Sequence, residues 1–391
     1  MKISRDSITK SISILSASLL IGVTSVSAQT PGTNGRLIFA NIGGTYNGGT
    51  EVGTGMFTIK NDGTGPHQFS MPFVNTGGDT SASYSPDGTK IAYAGEYVDG
   101  NTNIDILVRS ADGTGTVTRV TSSSSGFDEH PRWSPDGTKI VFTRYVSGDR
   151  EVITVNSDGT GSEEAITTNG AGGGEDPTYT PDGNSIVFVR GTGAIVSLDS
   201  TGTEQNATAI TSGSATRQNP DVSPDGSTVV YSLSDTSTSQ SIRTVAIGGG
   251  SDATLVTAAS DNMYKGYPSY SPDGTKIAFI RSSSSSSPNA VDDIRVYTIA
   301  GGATTSIFSF DANSGAQSNG NLHSLTWGTN NATLTNNLGG DAFNTGLPDT
   351  GSKAPKPFNG LLPAILAAGA VLLLGAFGFV WYKREFGRKN R

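Results

Sequence analysis

The sequence predicts an all-β protein, a six-bladed β-propeller of four-stranded blades, with one C-terminal transmembrane helix appended. Three observations carry that prediction. A turn motif recurs at near-constant spacing, strand-like runs and Gly-rich turns fill each interval, and fragments at the two ends match the two halves of one repeat.

The motif stands out as Ser85-Pro86-Asp87-Gly88, Ser134-Pro135-Asp136-Gly137, Thr180-Pro181-Asp182-Gly183, Ser223-Pro224-Asp225-Gly226 and Ser271-Pro272-Asp273-Gly274, at intervals of 49, 46, 43 and 48 residues. Pro in second place presets φ and Gly in fourth place relieves the exit, which is the chemistry of a type I turn. A strand leaves each turn on residues such as Ile140, Val141 and Phe142, types that suit a pleated, half-buried surface. A third strand follows, for example Glu151 to Val155 or Ile294 to Ile299, and ends in a second turn such as Asp62-Gly63-Thr64-Gly65 or Asp112-Gly113-Thr114-Gly115. Short runs such as Val117 to Val120 and Ala165 to Thr167 supply a fourth strand. Four strands in an interval of this length make one propeller blade.

The blade count comes from the ends. Arg36 to Ala40 reads as the second strand of a blade without its opening turn, and Trp327 to Leu334 aligns with Trp133 to Ile140 as an opening turn without its later strands. Together they complete a sixth blade and close the ring. An open array or a sandwich of similar strands is the competing architecture. Closure is preferred because it removes free sheet edges.

Composition agrees. The 391 residues contain 52 Gly and no Cys, which favours short strands with tight turns and excludes disulfides and thiol chemistry. The formal charge of −8 divides into +2 on residues 1–28, +6 on residues 351–391 and therefore −16 on the domain between them. A surface so acidic excludes nucleic acid, whose binding requires neutralised phosphates.

Both ends read as addresses. Lys2, Arg5 and Lys10 precede an apolar run from Ile12 to Val23 and the small-residue sequence Val26-Ser27-Ala28, the pattern of a secretory signal peptide cleaved between Ala28 and Gln29 by signal peptidase. An uncleaved N-terminal anchor is the alternative, and its apolar core is short for a span. Leu361 to Tyr382 is an uncharged run long enough, at about 1.5 Å per residue, to cross the hydrocarbon core as a helix. Lys383, Arg384, Arg388, Lys389 and Arg391 follow and stay cytoplasmic by the positive-inside rule.

Before the span stands Leu347-Pro348-Asp349-Thr350-Gly351. The LPxTG pentapeptide, apolar span and basic tail, in that order, resemble the sorting signal of sortase substrates of Gram-positive-type bacteria. The resemblance implies cleavage between Thr350 and Gly351 and attachment to the cell wall, against the alternative of a single-span membrane protein. The domains expected are a signal peptide at 1–28, the propeller at 29–335, a flexible linker at 336–357, the membrane helix at 358–382 and the cytoplasmic tail at 383–391. The protein is expected at the cell surface with its propeller outside.

From Gly35 to Leu334 the repeats resemble the propeller of TolB and its relatives. That propeller serves peptide-binding proteins, peptidases and polysaccharide lyases, so the resemblance implies fold more than activity. The first strand begins soon after the expected cleavage site, leaving no room for TolB's amino-terminal α/β domain, so TolB's envelope role is not implied.

The search for chemistry returns little. The chain offers His67, His130 and His323 and no Gly-x-Ser-x-Gly, HExxH or GxxxxGK[ST] sequence, so neither a hydrolase elbow, a metal nor a nucleotide cofactor is expected. The Asp-Gly-Thr-Gly turns lack the alternating carboxylates of a calcium loop. What remains is the mouth of the central channel, placed just before each innermost strand. Aligned on Trp133, its residues are Asp79 and Thr80, then Asp128, Glu129 and His130, Glu175 and Asp176, Arg217, Gln218 and Asn219, Lys265 and Tyr267, and His323. Acidic groups fall on three successive blades, with Arg217 and Lys265 on the next two. Such a polarised mouth suits a peptide, protein or envelope polymer with complementary charges.

Two other classes stay open. His130 beside Asp128 and Glu129 could serve acid–base chemistry in an extracellular hydrolase or lyase. A purely structural surface protein would use Ser122 to Ser125 and Ser282 to Ser287 as solvated loops. The sorting signal is tested by mass spectrometry of wall-digest peptides. The expected C-terminal residue of the mature chain is Thr350, and a mature chain still ending at Arg391 would refute sortase processing.

Overall fold

The computed structural model describes residues 32–46, 50–69, 81–97, 103–123, 126–168, 173–202, 206–235, 239–258, 263–283, 291–311 and 322–329. The expected signal peptide, sorting motif and membrane helix lie outside these residues. Among the described residues no helix is long and apolar enough to cross a membrane.

Among the described residues, twenty-four strands form six antiparallel blades. The first complete blade comprises β4 (Ala82–Tyr84), β5 (Lys90–Glu96), β6 (Ile104–Ser110) and β7 (Thr118–Arg119). The second comprises β8 (Phe127–Trp133), β9 (Lys139–Val146), β10 (Asp149–Asn156) and β11 (Glu164–Ala165). The third is β12 (Gly174–Tyr179) to β15 (Thr208–Ala209), and the fourth is β16 (Arg217–Val222) to β19 (Ala253–Val256). The fifth is β20 (Met263–Tyr270) to β23 (Ala303–Asp311). The sixth is the composite expected from the ends: β24 (Leu322–Thr329) pairs with β1 (Asn34–Tyr46), which continues into β2 (Thr50–Lys60) and β3 (His67–Phe69). Leu37 faces Trp327 and Phe39 faces Leu325 across that seam.

The repeated turns are built as their chemistry demands. In each, Gly donates its N–H to the carbonyl of the first residue at 2.8 Å, with Gly at φ 70° to 73°, a region only Gly enters without strain. The leading Ser or Thr hydroxyl donates to the Asp carboxylate at 2.6 Å. It also accepts the N–H of the residue that opens the next strand, at 2.9 to 3.0 Å. One Ser-Pro-Asp-Gly unit thus sets both turn and strand register.

Apolar faces of neighbouring blades pack as cores. Ala92, Ile106 and Val108 of one blade meet Trp133, Ile140 and Phe142 of the next, and Leu37, Phe57, Ile59 and Trp327 of the sixth blade meet Ile280 and Ile294 of the fifth.

The turn carboxyls give an acid limb to stability. At Asp87, Asp136, Asp182 and Asp273, burial pushes the pKa up but is outweighed by hydrogen bonds, and at Asp225 the Ser223 hydroxyl leads, so all five lie below the ordinary aspartate value. Their contribution is complete above the unfolded value of about 4 and is lost as pH falls through the lower folded values. Asp105, raised to about 6 chiefly by burial, acts oppositely, adding stability as pH falls from about 6 to 4. Thermal melting should therefore hold to about pH 4 and drop below it, and replacing Asp136, Asp182 and Asp225 together by Asn should flatten that drop. A wild-type melting point unchanged down to pH 2.5 would sink this account.

Candidate functional site

The innermost strands of four blades, β8, β12, β16 and β20, are each interrupted by a bulge. The pairing register shifts between Glu129 and Arg132, Glu175 and Thr178, Gln218 and Asp221, and Gly266 and Ser269. A bulge leaves backbone donors without ladder partners. The sequence disposes of one by proline, at Pro131, Pro177, Pro220 and Pro268. The residue before each, His130, Asp176, Asn219 and Tyr267, takes φ of 50° to 54°, and Ser324 holds the same repeat position at 47°. Non-Gly residues in that region are strained, more so before proline.

The remaining donor is met by another blade. His130 N–H donates to Ser81 Oγ at 2.6 Å, Asn219 N–H to Asp176 Oδ2 at 2.9 Å, and Tyr267 N–H to Asn219 Oδ1 at 3.3 Å. Asp176 N–H uses Thr143 Oγ1 instead, at 3.2 Å. In the sixth blade Ser324 Oγ accepts Ala82 N–H at 3.2 Å. A relay of side-chain acceptors thus ties successive blades around the axis.

These residues surround an axial pocket of about 290 Å3, open solvent included, lined by Ser81, His130, Arg132, Asp176, Pro177, Asn219, Pro220, Tyr267 and Ser324. His130 Nδ1 lies 2.9 Å from Asp176 Oδ1. Burial pushes the Asp176 carboxyl up, but the His130 imidazole and the Asn219 amide outweigh it and hold the group below its usual range. One step further along the strands stand Ser83, Arg132, Thr178, Asp221, Ser269 and Thr326. Asp221 accepts Tyr270 N–H at 2.7 Å, and Ser269 Oγ accepts Trp327 N–H at 3.1 Å, so this level also joins blades.

Of the residues expected at the mouth, His130, Asp176, Asn219 and Tyr267 line the pocket. They lie within the innermost strands rather than before them, because the bulge turns them toward the axis. The expected polarised rim is divided. Asp128 is fully buried and pairs with Arg144 on the adjacent strand at 2.7 and 2.8 Å. Arg217 is buried and donates to the carbonyls of Ser212, Gly193 and Ala215. Lys265 is buried near the carbonyls of Ala258 and Met263. These cations cap backbone oxygens and do not face the acids. Glu175 pairs with Arg150 at 2.8 Å, Glu129 lies opposite Thr143, and Gln218 accepts from Gln240 at 3.3 Å. The His323 backbone pairs with Ala40, and Asp79 lies outside the described residues. Ser81, Arg132 and Ser324 were missed by the motif alignment. Their signal is a period of two: polar residues stand three and one before the opening turn's preceding residue in every blade.

Among the described residues no cluster of His, Asp and Glu could hold a metal ion. Asp176→Ala is expected to cost about 2 kcal/mol, because Asn219 N–H loses its buried acceptor, and Asp176→Asn clearly less. Urea unfolding measures this, and equal midpoints for wild type and Asp176→Ala would contradict the relay.

The fold compares with solved propellers at low identity. TolB of Acinetobacter baumannii superposes with a TM-score of 0.56 at 20% identity, over 75% of this chain and 67% of that one. A putative TolB of Agrobacterium tumefaciens gives 0.52 at 20% identity, over 71% and 90%. A chain of a nidogen/laminin complex gives 0.51 at 12% identity, over 75% and 98%. No curated protein matches the sequence. The sequence model of the TolB β-propeller domain matches residues 59–265, more than half of the chain, and with blades, turns and axis in agreement, the protein belongs to the TolB β-propeller domain family.

Proposed function

We propose that this chain is a recognition module held at the cell surface, taking a segment of a peptide, protein or envelope polymer into the axial pocket. The observation that carries the reading is the pocket itself. Strained residues cluster at binding sites because the surrounding structure must over-determine them, and here His130, Asp176, Asn219 and Tyr267 adopt left-handed backbone around one opening.

The size of the opening sets what enters. The enclosed space between the lining residues is little more than water-sized, so the opening takes the tip of a side chain or a chain end rather than a whole domain. The rest of a larger partner would rest on the surrounding face. Surface attachment rests on the ordered LPxTG, apolar span and basic tail, and export on the N-terminal signal pattern. A tethered module meets what diffuses to it, which favours recognition over metabolism. The nidogen/laminin neighbour is a propeller seen in a protein complex, compatible with this use of the fold.

The hydrolytic reading sets Asp128 and Glu129 beside His130, whereas the carboxylate at His130 Nδ1 is Asp176. Asp128, one of the two acids of that reading, is committed to Arg144.

The test is selection of peptides from a displayed random library on the exported protein, followed by affinity measurement on Tyr267→Ala. The side chain of Tyr267 lines the pocket while its backbone makes the blade contact, so the variant alters the mouth and keeps the relay. Selected ligands should bind Tyr267→Ala at least tenfold more weakly. Unchanged affinity across the selected set would reject the mouth as the binding site.

A further inference from the structure

Arg132 is the guanidinium among the pocket-lining residues, and it is partly buried. Every other arginine expected or found near the axis is spent on protein oxygens, as Arg217 is on three carbonyls and Arg144 on Asp128. Arg132 differs: among the described residues its side chain makes no hydrogen bond or ion pair to a protein atom. Asp176 and Asp221 act on it only through space. Both carboxylates have other commitments, Asp176 to His130 and Asn219, Asp221 to Tyr270 N–H. A guanidinium carries five N–H donors in a planar fork, and burying such donors without acceptors is costly. The fork is thus placed beside the opening, held by charge and left with donors to give.

We infer that Arg132 receives a carboxylate of a peptide ligand entering along the propeller axis, a chain terminus or an acidic side chain. This rests on the pocket being the binding mouth. Geometry favours a carboxylate because its two oxygens match the fork with parallel hydrogen bonds. A phosphate dianion brings a second charge that one arginine does not match and that Asp176 and Asp221 repel. Ser81, Asn219 and Ser324 line the same opening and offer hydroxyl and amide groups to the peptide backbone beside the carboxylate. The burial that lowers the Arg132 pKa also strengthens a charge-assisted bond to an arriving anion.

The experiment uses the exported full chain and three probes: trialanine with a free C-terminus, trialanine amide, and acetyl-Ala-Asp-Ala amide. Calorimetric titration should show saturable binding of at least one carboxylate-bearing probe, with trialanine amide at least tenfold weaker. The free-acid tripeptide assigns a chain end, and the aspartate probe assigns a side chain. Arg132→Gln should lower the affinity of the bound probe at least tenfold, and Arg132→Lys should fall between, since it keeps the charge and loses the fork. Equal binding of acid and amide, undiminished binding by Arg132→Gln, or no binding of either carboxylate probe overturns the inference. Should Arg132→Gln fail to fold, the 15N resonance of the Arg132 Nε–H in the wild type decides. It should move with the carboxylate probe and not with the amide, and an unmoved resonance overturns the inference equally. If these arms fail while Tyr267→Ala still weakens the library-selected ligands, the mouth remains the binding site and only the carboxylate assignment falls.

Discussion

The pairing of β24 with β1 is the contact on which the rest of the propeller depends. Five blades are local, each made from a continuous stretch of chain, and as a row they would expose a sheet face at each end. The seam joins residues nearly three hundred positions apart, with Leu37 against Trp327 and Trp327 Nε1 donating to Gly35 O at 3.2 Å. Asn34 adds a second tie, donating to Asp273 at 2.8 Å, so the N-terminal segment holds both the sixth blade and the turn of the fifth. Closing so long a loop is entropically costly but grows only slowly with length. It is offset by a core shared between both ends of the chain, Phe39 lying against Phe308 at 5.3 Å between ring centroids. In a chain without cysteine, this seam takes the part that a covalent clasp plays in smaller secreted domains.

The axis carries the second constraint. A ring of sheets converges where there is little room, and four of the innermost strands answer with a bulge, a proline and a left-handed residue. The displaced N–H groups cannot be left buried without partners, so a side chain from elsewhere accepts them. This fixes the residue types on the axis before any ligand is considered: they are short, polar and able to accept. Ser81, Asp176 and Asn219 meet that need. The same atoms line the opening, so the structural and recognition roles of the pocket are not separable residue by residue. Two side chains are exceptions: the contact of Tyr267 to Asn219 is made by its backbone N–H, and no blade-to-blade hydrogen bond passes through the Arg132 side chain.

Turn chemistry made the architecture readable. Ser-Pro-Asp-Gly acts over four residues and reports itself without tertiary context, and its five copies with two end fragments were enough for six blades. The site was less readable because a one-residue shift across a bulge reverses which face a side chain takes. Asp128, Arg217 and Lys265 occupy the equivalent position in three blades and looked like mouth charges, yet that position faces inward between sheets. The order of charges along the chain resembled a polarised rim, whereas folding pairs Asp128 with Arg144 of its own sheet and turns Arg217 and Lys265 onto backbone carbonyls. Arg132 stood beyond the stretch assigned to the mouth, and nothing in its single blade marks it. Only the comparison of all six strands at a period of two brings it out.

The charge distribution narrows what the axis can select. Residues 29–350 carry −16, a field that opposes the approach of anions until screening removes it beyond about 8 Å at physiological ionic strength. A lone arginine at the centre of an acidic domain cannot draw polyanions from a distance. It acts within contact range, where water is excluded and fork geometry counts. A ligand carrying one carboxylate on an otherwise neutral or basic segment meets attraction at long range from the acidic surface and at short range from Arg132. A uniformly acidic ligand meets repulsion first. On the proposed carboxylate assignment, the global charge would select the body of the ligand and the axial arginine its end.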